Sequence, residues 1–456
     1  MAPRTESTAG STPPAHPGGL HAHRGAILHF LSDPGTHAPP ESFEYFEDGL
    51  LVVDAGRVVA VGPAPQLLAR YPQDLAVAEH GKGILMPGFI DTHIHYPQTD
   101  VIGSGGRNLL EWLRDYTFPE ESRFADAHHA RCVAEFFLDE LLRNGTTTAM
   151  VFCTVHAASA EAFFAAAQQR SMRMIAGKVL MDRYCPDGLS DTPASAESQS
   201  RALIEKWHRQ ERLLYALTPR FAAMSSPEQL ACVGRLAHEF PDVFIQTHAA
   251  ENRDEIQWVR ELYPEARSYL DVYDRFGLLR ERAIYAHCIH IDRSDRERMV
   301  HTGAAAAFCP SSNLYLGSGL FDIAAADAAG LRFSIATDVG GGNSFSLLRT
   351  LADAYKVAQM SGQTLSPLRA FYLVTAGAAR TLGLERTVGS FVPGAEADFI
   401  VLDPDATPLI SRRIGQARTL AEKLLVLLAL ADDRLIRETY VLGRLLHSSS
   451  RTDAKV

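Results

Sequence analysis

Between residues 88 and 386, short apolar runs alternate with longer stretches whose apolar positions recur at helical spacing. The runs at 88–95, 146–154, 174–181, 213–218, 243–248, 283–287, 304–309 and 333–338 read as buried strands. The stretches between them carry helix signals. At 127–144 the pattern ends in Arg143-Asn144-Gly145, a stop signal. At 226–240, Ser225 or Ser226 supplies a cap and Pro227 occupies the first turn, and 292–302 reads as a further helix. Strands separated by helices predict an α/β fold with a parallel sheet, and the number of strands is the one that closes a (β/α)8 TIM barrel. An open doubly wound sheet shows the same alternation, so the count alone leaves both possible.

The flanks have a different rhythm. Residues 49–61 hold two β-rich segments around an Ala55-Gly56 turn, and 398–402 and 439–442 are β-like as well. Neither flank can bury a core alone. One small β-sandwich domain assembled from 25–87 and 388–448 solves this, with the catalytic barrel at 88–387 as an insertion. Residues 1–24 are rich in Pro, Gly, Ser, Thr and His and lack an apolar core. They read as a disordered tail and not as a secretory signal.

Composition narrows the class. The chain has 456 residues, beyond the roughly 250–300 at which single cores stop growing, which suits a large domain with an accessory. A formal net charge of -10 argues against a nucleic-acid partner, because phosphate binding needs concentrated Lys and Arg. The longest apolar run, 424–431, is far shorter than the ~20 residues of a membrane span. The six cysteines are scattered with no C-x-x-C pair, which fits a reducing compartment and a cytoplasmic, soluble protein.

Chemistry enters where polar residues fall on the apolar runs. His93 and His95 end the first predicted strand, His248 the fifth, His287 the sixth and Asp338 the eighth. The i, i+2 spacing of His93 and His95 puts both imidazoles on one face of a strand. In barrels the carboxyl ends of strands form the open mouth, so these five side chains are expected to converge on a metal. His21-Ala22-His23 has the same spacing but falls in the low-complexity tail, and His128-His129 begins a helix; both pairs read as solvated surface residues. Glu251 follows His248 by three and so projects from the same side, suited to proton transfer beside the metal without being a ligand. The fourth strand ends Thr218-Pro219-Arg220, with no Lys or Glu to bridge a second ion, which favours one metal over two. Gly103-Ser104-Gly105-Gly106 and Gly340-Gly341-Gly342 fit neither a P-loop nor a dinucleotide fingerprint and read as flexible loops at the mouth. Trp112, on the apolar face of a predicted helix at 109–116, reads as core.

These residues resemble the amidohydrolase superfamily, in which HxH, His, His and Asp occur in this order on barrel strands. Further tracts resemble the guanine deaminase family within it. They are His93-Ile94-His95-Tyr96-Pro97-Gln98, Leu109-Leu110-Glu111-Trp112-Leu113, Thr218-Pro219-Arg220-Phe221, Cys309-Pro310-Ser311-Ser312-Asn313 and Thr337-Asp338-Val339-Gly340-Gly341-Gly342. The resemblance implies one zinc ion per subunit held by His93, His95, His248 and Asp338. It implies a purine substrate bound by Gln98, Arg220 and Phe221, with His95, Glu251 and His287 beside it. It also implies Glu251, Asp338 and His287 as the catalytic groups, hydrolysis of guanine to xanthine and ammonia as in purine catabolism, and a homodimer. The same metal site would serve a relative acting on 8-oxoguanine, a pterin or another purine. A non-catalytic scaffold of the same fold would be expected to have lost Glu251 or Asp338, and both are present.

Overall fold

The computed structural model describes residues 19–105 and 108–449. Ahead of the central region come β1 (His21–Phe30), β2 (Phe43–Asp54), β3 (Arg57–Pro63) and β4 (Ala76–Pro87). The apolar runs then form β5 (Phe89–His95), β6 (Thr146–Phe152), β7 (Arg173–Gly177), β8 (Val179–Leu180), β9 (Leu214–Pro219), β10 (Phe244–Ala249), β11 (Ala283–His287), β12 (Ala305–Phe308) and β13 (Phe333–Ile335). After them come β14 (Phe399–Leu402), β15 (Ile436–Val441) and β16 (Arg444–Ser448).

Strands β5 to β13 pair in parallel in the order β13-β12-β11-β10-β9-β7-β6-β5, with β8 attached to β9. The two ends of that path meet: Asp338 N–H donates to the His93 carbonyl at 3.0 Å and His95 N–H to the Val339 carbonyl at 2.9 Å. The sheet therefore closes, and the open-sheet alternative falls away. Alternate strand residues divide between two apolar cores, as a pleated strand requires. Ile90, Met150, Ile175, Ala216, Phe244 and Ile284 fill the barrel interior. Their neighbours, such as Ile245 and Tyr285, pack in the main core with the surrounding helices.

The helices end where their local chemistry directs. Ala127–Arg143 starts at Asp126, whose carboxylate accepts from His128 N–H, and stops at Asn144 ahead of Gly145 at φ 79°. Pro227–Glu239 is capped by Ser226, and Arg293–Thr302 runs from Asp292 to Gly303. Among the described residues no helix is long and apolar enough to cross a membrane. The apolar run at 424–431 covers the second half of the helix Leu420–Leu430 and its C-cap Ala431.

Both chain ends contribute to a single seven-stranded mixed sheet in the order β16-β15-β14-β4-β1-β2-β3. Its contact with the barrel includes a buried ion cluster in which Arg173 and Arg212 share Glu396, and Arg212 also pairs with Asp398. The amino-terminal expectation needs correction here, since residues 21–24 are part of β1, hydrogen-bonded to both β2 and β4. His23 is buried, bonds His80 at 3.0 Å and packs on Phe399 and Tyr440, so it is a core side chain and not a solvated tail residue. A polar-looking segment becomes strand because the neighbouring strands pair with its backbone on both sides. Residues 1–18 of the expected tail lie outside the described residues.

Candidate active site

The histidines reach the barrel interior through a local irregularity. Ile90 faces inward and Ile94 outward, although simple alternation would put both on one side. The β5–β6 register shifts between Asp91 and Ile94, and that bulge turns His93 and His95 into the mouth. On β10, His248 shares parity with the inward Phe244. His287 ends β11 with the parity of the outward Tyr285, and its left-handed φ of 68° breaks the alternation. Asp338 lies beyond the last regular residue of β13, Ile335, and is also left-handed at φ 52°. Backbone strain of this kind in non-glycine residues gathers at functional sites.

The result is a tight group of donors. His95 Nε2 lies 3.2 Å from His93 Nε2 and 3.1 Å from His248 Nε2, and Asp338 Oδ1 lies 3.2 Å from His93 Nε2. One donor atom from each of His93, His95, His248 and Asp338 falls within 4.8 Å of all the others. His248 Nδ1 sits 2.6 Å from the Arg220 carbonyl oxygen, which makes Nδ1 the protonated nitrogen and leaves Nε2 a lone pair. Burial, then the charges of neighbouring histidines, holds His248 well below its ordinary range; burial first and foremost lowers His95 to about 4. Burial alone would raise Asp338, but His93 and His95 hold its carboxylate well below the usual range. Imidazole nitrogens and a carboxylate oxygen converging on one point form a donor set that suits zinc.

A second group, His93, His287, Cys309 and Asp338, overlaps the first. The sequence places Cys309 at a strand end without marking it as a donor, although residues 305, 307 and 309 share the inward parity. Burial, followed by the charge of Asp338, pushes its thiol well above the ordinary value.

Glu251 lies beside this group and outside it. Its Oε2 is 3.4 Å from His287 Nε2, and its Oε1 accepts from Ser318 Oγ at 2.8 Å. Its backbone N–H donates to Glu255 Oε2 at 3.0 Å, which fixes the turn that presents the carboxyl. Burial, reinforced by Asp338, pushes Glu251 up to about 8. A carboxyl in that range can hold or release a proton near neutrality. His287 Nδ1 lies 2.9 Å from Asn313 Oδ1, which orients the ring with Nε2 toward the site.

The pocket above these groups spans about 400 Å³, part of it open to solvent. Gln98, Arg220 and Phe221 line it, with Leu109, Trp112 and Leu316 completing apolar walls. Trp112 is both buried and pocket-lining, so the core reading describes only part of its position. It sits on Leu109–Trp112, which passes into a π-helical turn at Leu113–Thr117 and then Phe118–Ser122. The last of these segments supplies Glu121, absent from the sequence reading, which bonds both Gln98 and Arg220. The Gly340-Gly341-Gly342 tract is a tightly packed element, not a flexible loop: a Cβ on Gly340 would meet the Gln98 carbonyl oxygen at 2.7 Å and one on Gly342 the Thr337 carbonyl at 1.9 Å. Of the other glycine-rich tract, Gly106 lies outside the described residues. His129 is also less exposed than expected, bonding Glu120 at 3.1 Å.

Residues 84–446 match the model of the amidohydrolase family, and the chain belongs to that family. Within it the chain groups with the guanine deaminases. It is 49% identical over 406 residues to the guanine deaminase of Escherichia coli K12, covering 89% of this chain and 92% of that protein. A solved structure of E. coli guanine deaminase superposes with a TM-score of 0.92 at 47% identity, over 94% of this chain and 100% of that one. The guanine deaminase of C. acetobutylicum, solved with guanine in its active site, superposes with a TM-score of 0.83 at 29% identity over 94% and 100% of the two chains.

Proposed function

We propose that the protein hydrolyses guanine to xanthine and ammonia, as a cytoplasmic homodimer with one zinc ion per subunit. The observation that carries this reading is the meeting, in one pocket, of the His93-His95-His248-Asp338 donor set with the hydrogen-bonding pair Gln98 and Arg220. The close guanine deaminase relatives support it.

The four donors would hold the zinc, whose Lewis acidity makes water nucleophilic at neutral pH. The remaining chemistry belongs to side chains. Arg220, permanently charged, donates to the purine carbonyl oxygen, where adenine instead carries an amino group that would oppose donor with donor. Gln98 bonds a second polar position of the ring, and Phe221 and Trp112 confine its faces. Attack falls on C2, the carbon bearing the exocyclic amine. Glu251 removes a proton from the attacking water and delivers it to the adjacent ring nitrogen. The His287 Nε2 lone pair orients that water by accepting its hydrogen bond. Asp338 takes the remaining proton on its carboxylate and passes it to the exocyclic nitrogen, which departs as ammonia.

The test is ammonia release by the zinc-loaded protein across guanine, 8-oxoguanine, adenine, cytosine and a pterin. Guanine should exceed every other compound in kcat/KM. A pterin or 8-oxoguanine turned over faster would keep the chemistry and reassign the substrate.

A further inference from the structure

Glu121 is 1% exposed, and its carboxylate is the shared acceptor for the two side chains that read the purine. Gln98 Nε2 donates to Glu121 Oε1 at 3.1 Å, and Arg220 Nη1 donates to Oε2 at 2.5 Å. The other end of the Gln98 amide is held as well, because Gly340 N–H donates to Gln98 Oε1 at 3.2 Å. A carboxylate can only accept and a backbone N–H can only donate, so a single orientation of the Gln98 amide satisfies both. Arg220 is pinned from a second direction, its guanidinium lying 5.4 Å from the centroid of the Phe118 ring. Phe118 and Glu121 belong to one helical segment, Phe118–Ser122, so a single element sets both reading groups.

We propose that Glu121 is the positioning residue for purine recognition. It fixes which edge of the Gln98 amide faces the ligand and holds one arm of the Arg220 fork, leaving the rest of the guanidinium to the purine. It also offsets the buried guanidinium charge, so that the pocket binds a neutral purine and releases an anionic one. This inference rests on the guanine reading, in which the product xanthine is a stronger acid than its precursor. Glu121 contacts none of the groups assigned to proton transfer, so its effect falls on binding.

Two variants separate its functions. Glu121→Gln keeps the shape but removes the charge, and its amide offers a donor where Gln98 or Arg220 needs an acceptor. Glu121→Asp keeps the charge but is too short to span both partners. Steady-state kinetics with guanine should show KM raised at least about tenfold in both variants, with kcat within about threefold of the parent and bound zinc unchanged. Competitive inhibition by xanthine should tighten in Glu121→Gln and not in Glu121→Asp. KM unchanged in either variant, a loss confined to kcat, or failure of both variants to fold would overturn the role of Glu121. A parent protein that releases no ammonia from guanine would overturn the guanine reading itself, a different result from an active parent insensitive to Glu121.

Discussion

Replacing Glu251 by Gln isolates the proton-transfer step from binding and folding. The amide is nearly isosteric, its oxygen can accept from Ser318 Oγ as Oε1 now does, and the backbone bond to Glu255 is untouched. None of the four donor side chains is altered, so zinc content should match the parent. What disappears is a group able to take and return a proton. General acid–base catalysis contributes about 10²–10⁴-fold, which at 1.36 kcal/mol per decade is about 3–5 kcal/mol of barrier. Guanine turnover should fall by that factor with KM changed little. The same substitution has a second signature in the metal-free protein. Burial and Asp338 raise Glu251 from 4.5 to about 8, so the folded state favours its proton. Stability from this group is complete below about pH 4.5 and is lost as pH rises through about 8. The Gln variant should lack that decline and lose less stability than the parent between about pH 4.5 and 8. Turnover within threefold of the parent, at equal zinc content, would refute the reasoning.

Other sites give independent tests. His248→Ala should leave less than about a tenth of the parent's zinc after dialysis, because it removes one of four converging donors, and metal analysis with activity measured on reloading checks this. Glu396→Ala strands the buried guanidinium of Arg173 and leaves Arg212 with Asp398 as its one carboxylate, and should cost about 3–5 kcal/mol in denaturant unfolding, a loss below about 1 kcal/mol contradicting the network. His23 is lowered from 6.5 to about 3 by burial and then by His80, so its contribution to stability is present above pH 6.5 and is lost as pH falls toward 3. His23→Phe should flatten acid unfolding across that window, and an unchanged slope would mean that other groups carry it.

Much of the barrel was legible because its strands are buried on both faces and stand out as apolar runs between capped helices. The positions of the site histidines and Asp338 followed from strand ends. How they point inward did not, since it depends on the β5 bulge and on left-handed backbone at His287 and Asp338, which no spacing encodes. Glu121 was illegible for another reason. It follows Glu120 in sequence, and only the packing of Phe118–Ser122 sends Glu120 to Arg123 and His129 and Glu121 to Arg220. His23 failed the other way: a polar, low-complexity context concealed a strand whose partners lie at residues 51 and 78.

The central claim is hydrolytic deamination of guanine at C2, and oxygen labelling tests it most directly. Zinc-loaded protein incubated with guanine in ¹⁸O-enriched water should yield xanthine carrying a single ¹⁸O, at C2, with equimolar ammonia, by mass spectrometry and ammonia assay. Guanine recovered unchanged, or ammonia released without labelled xanthine, would contradict the account.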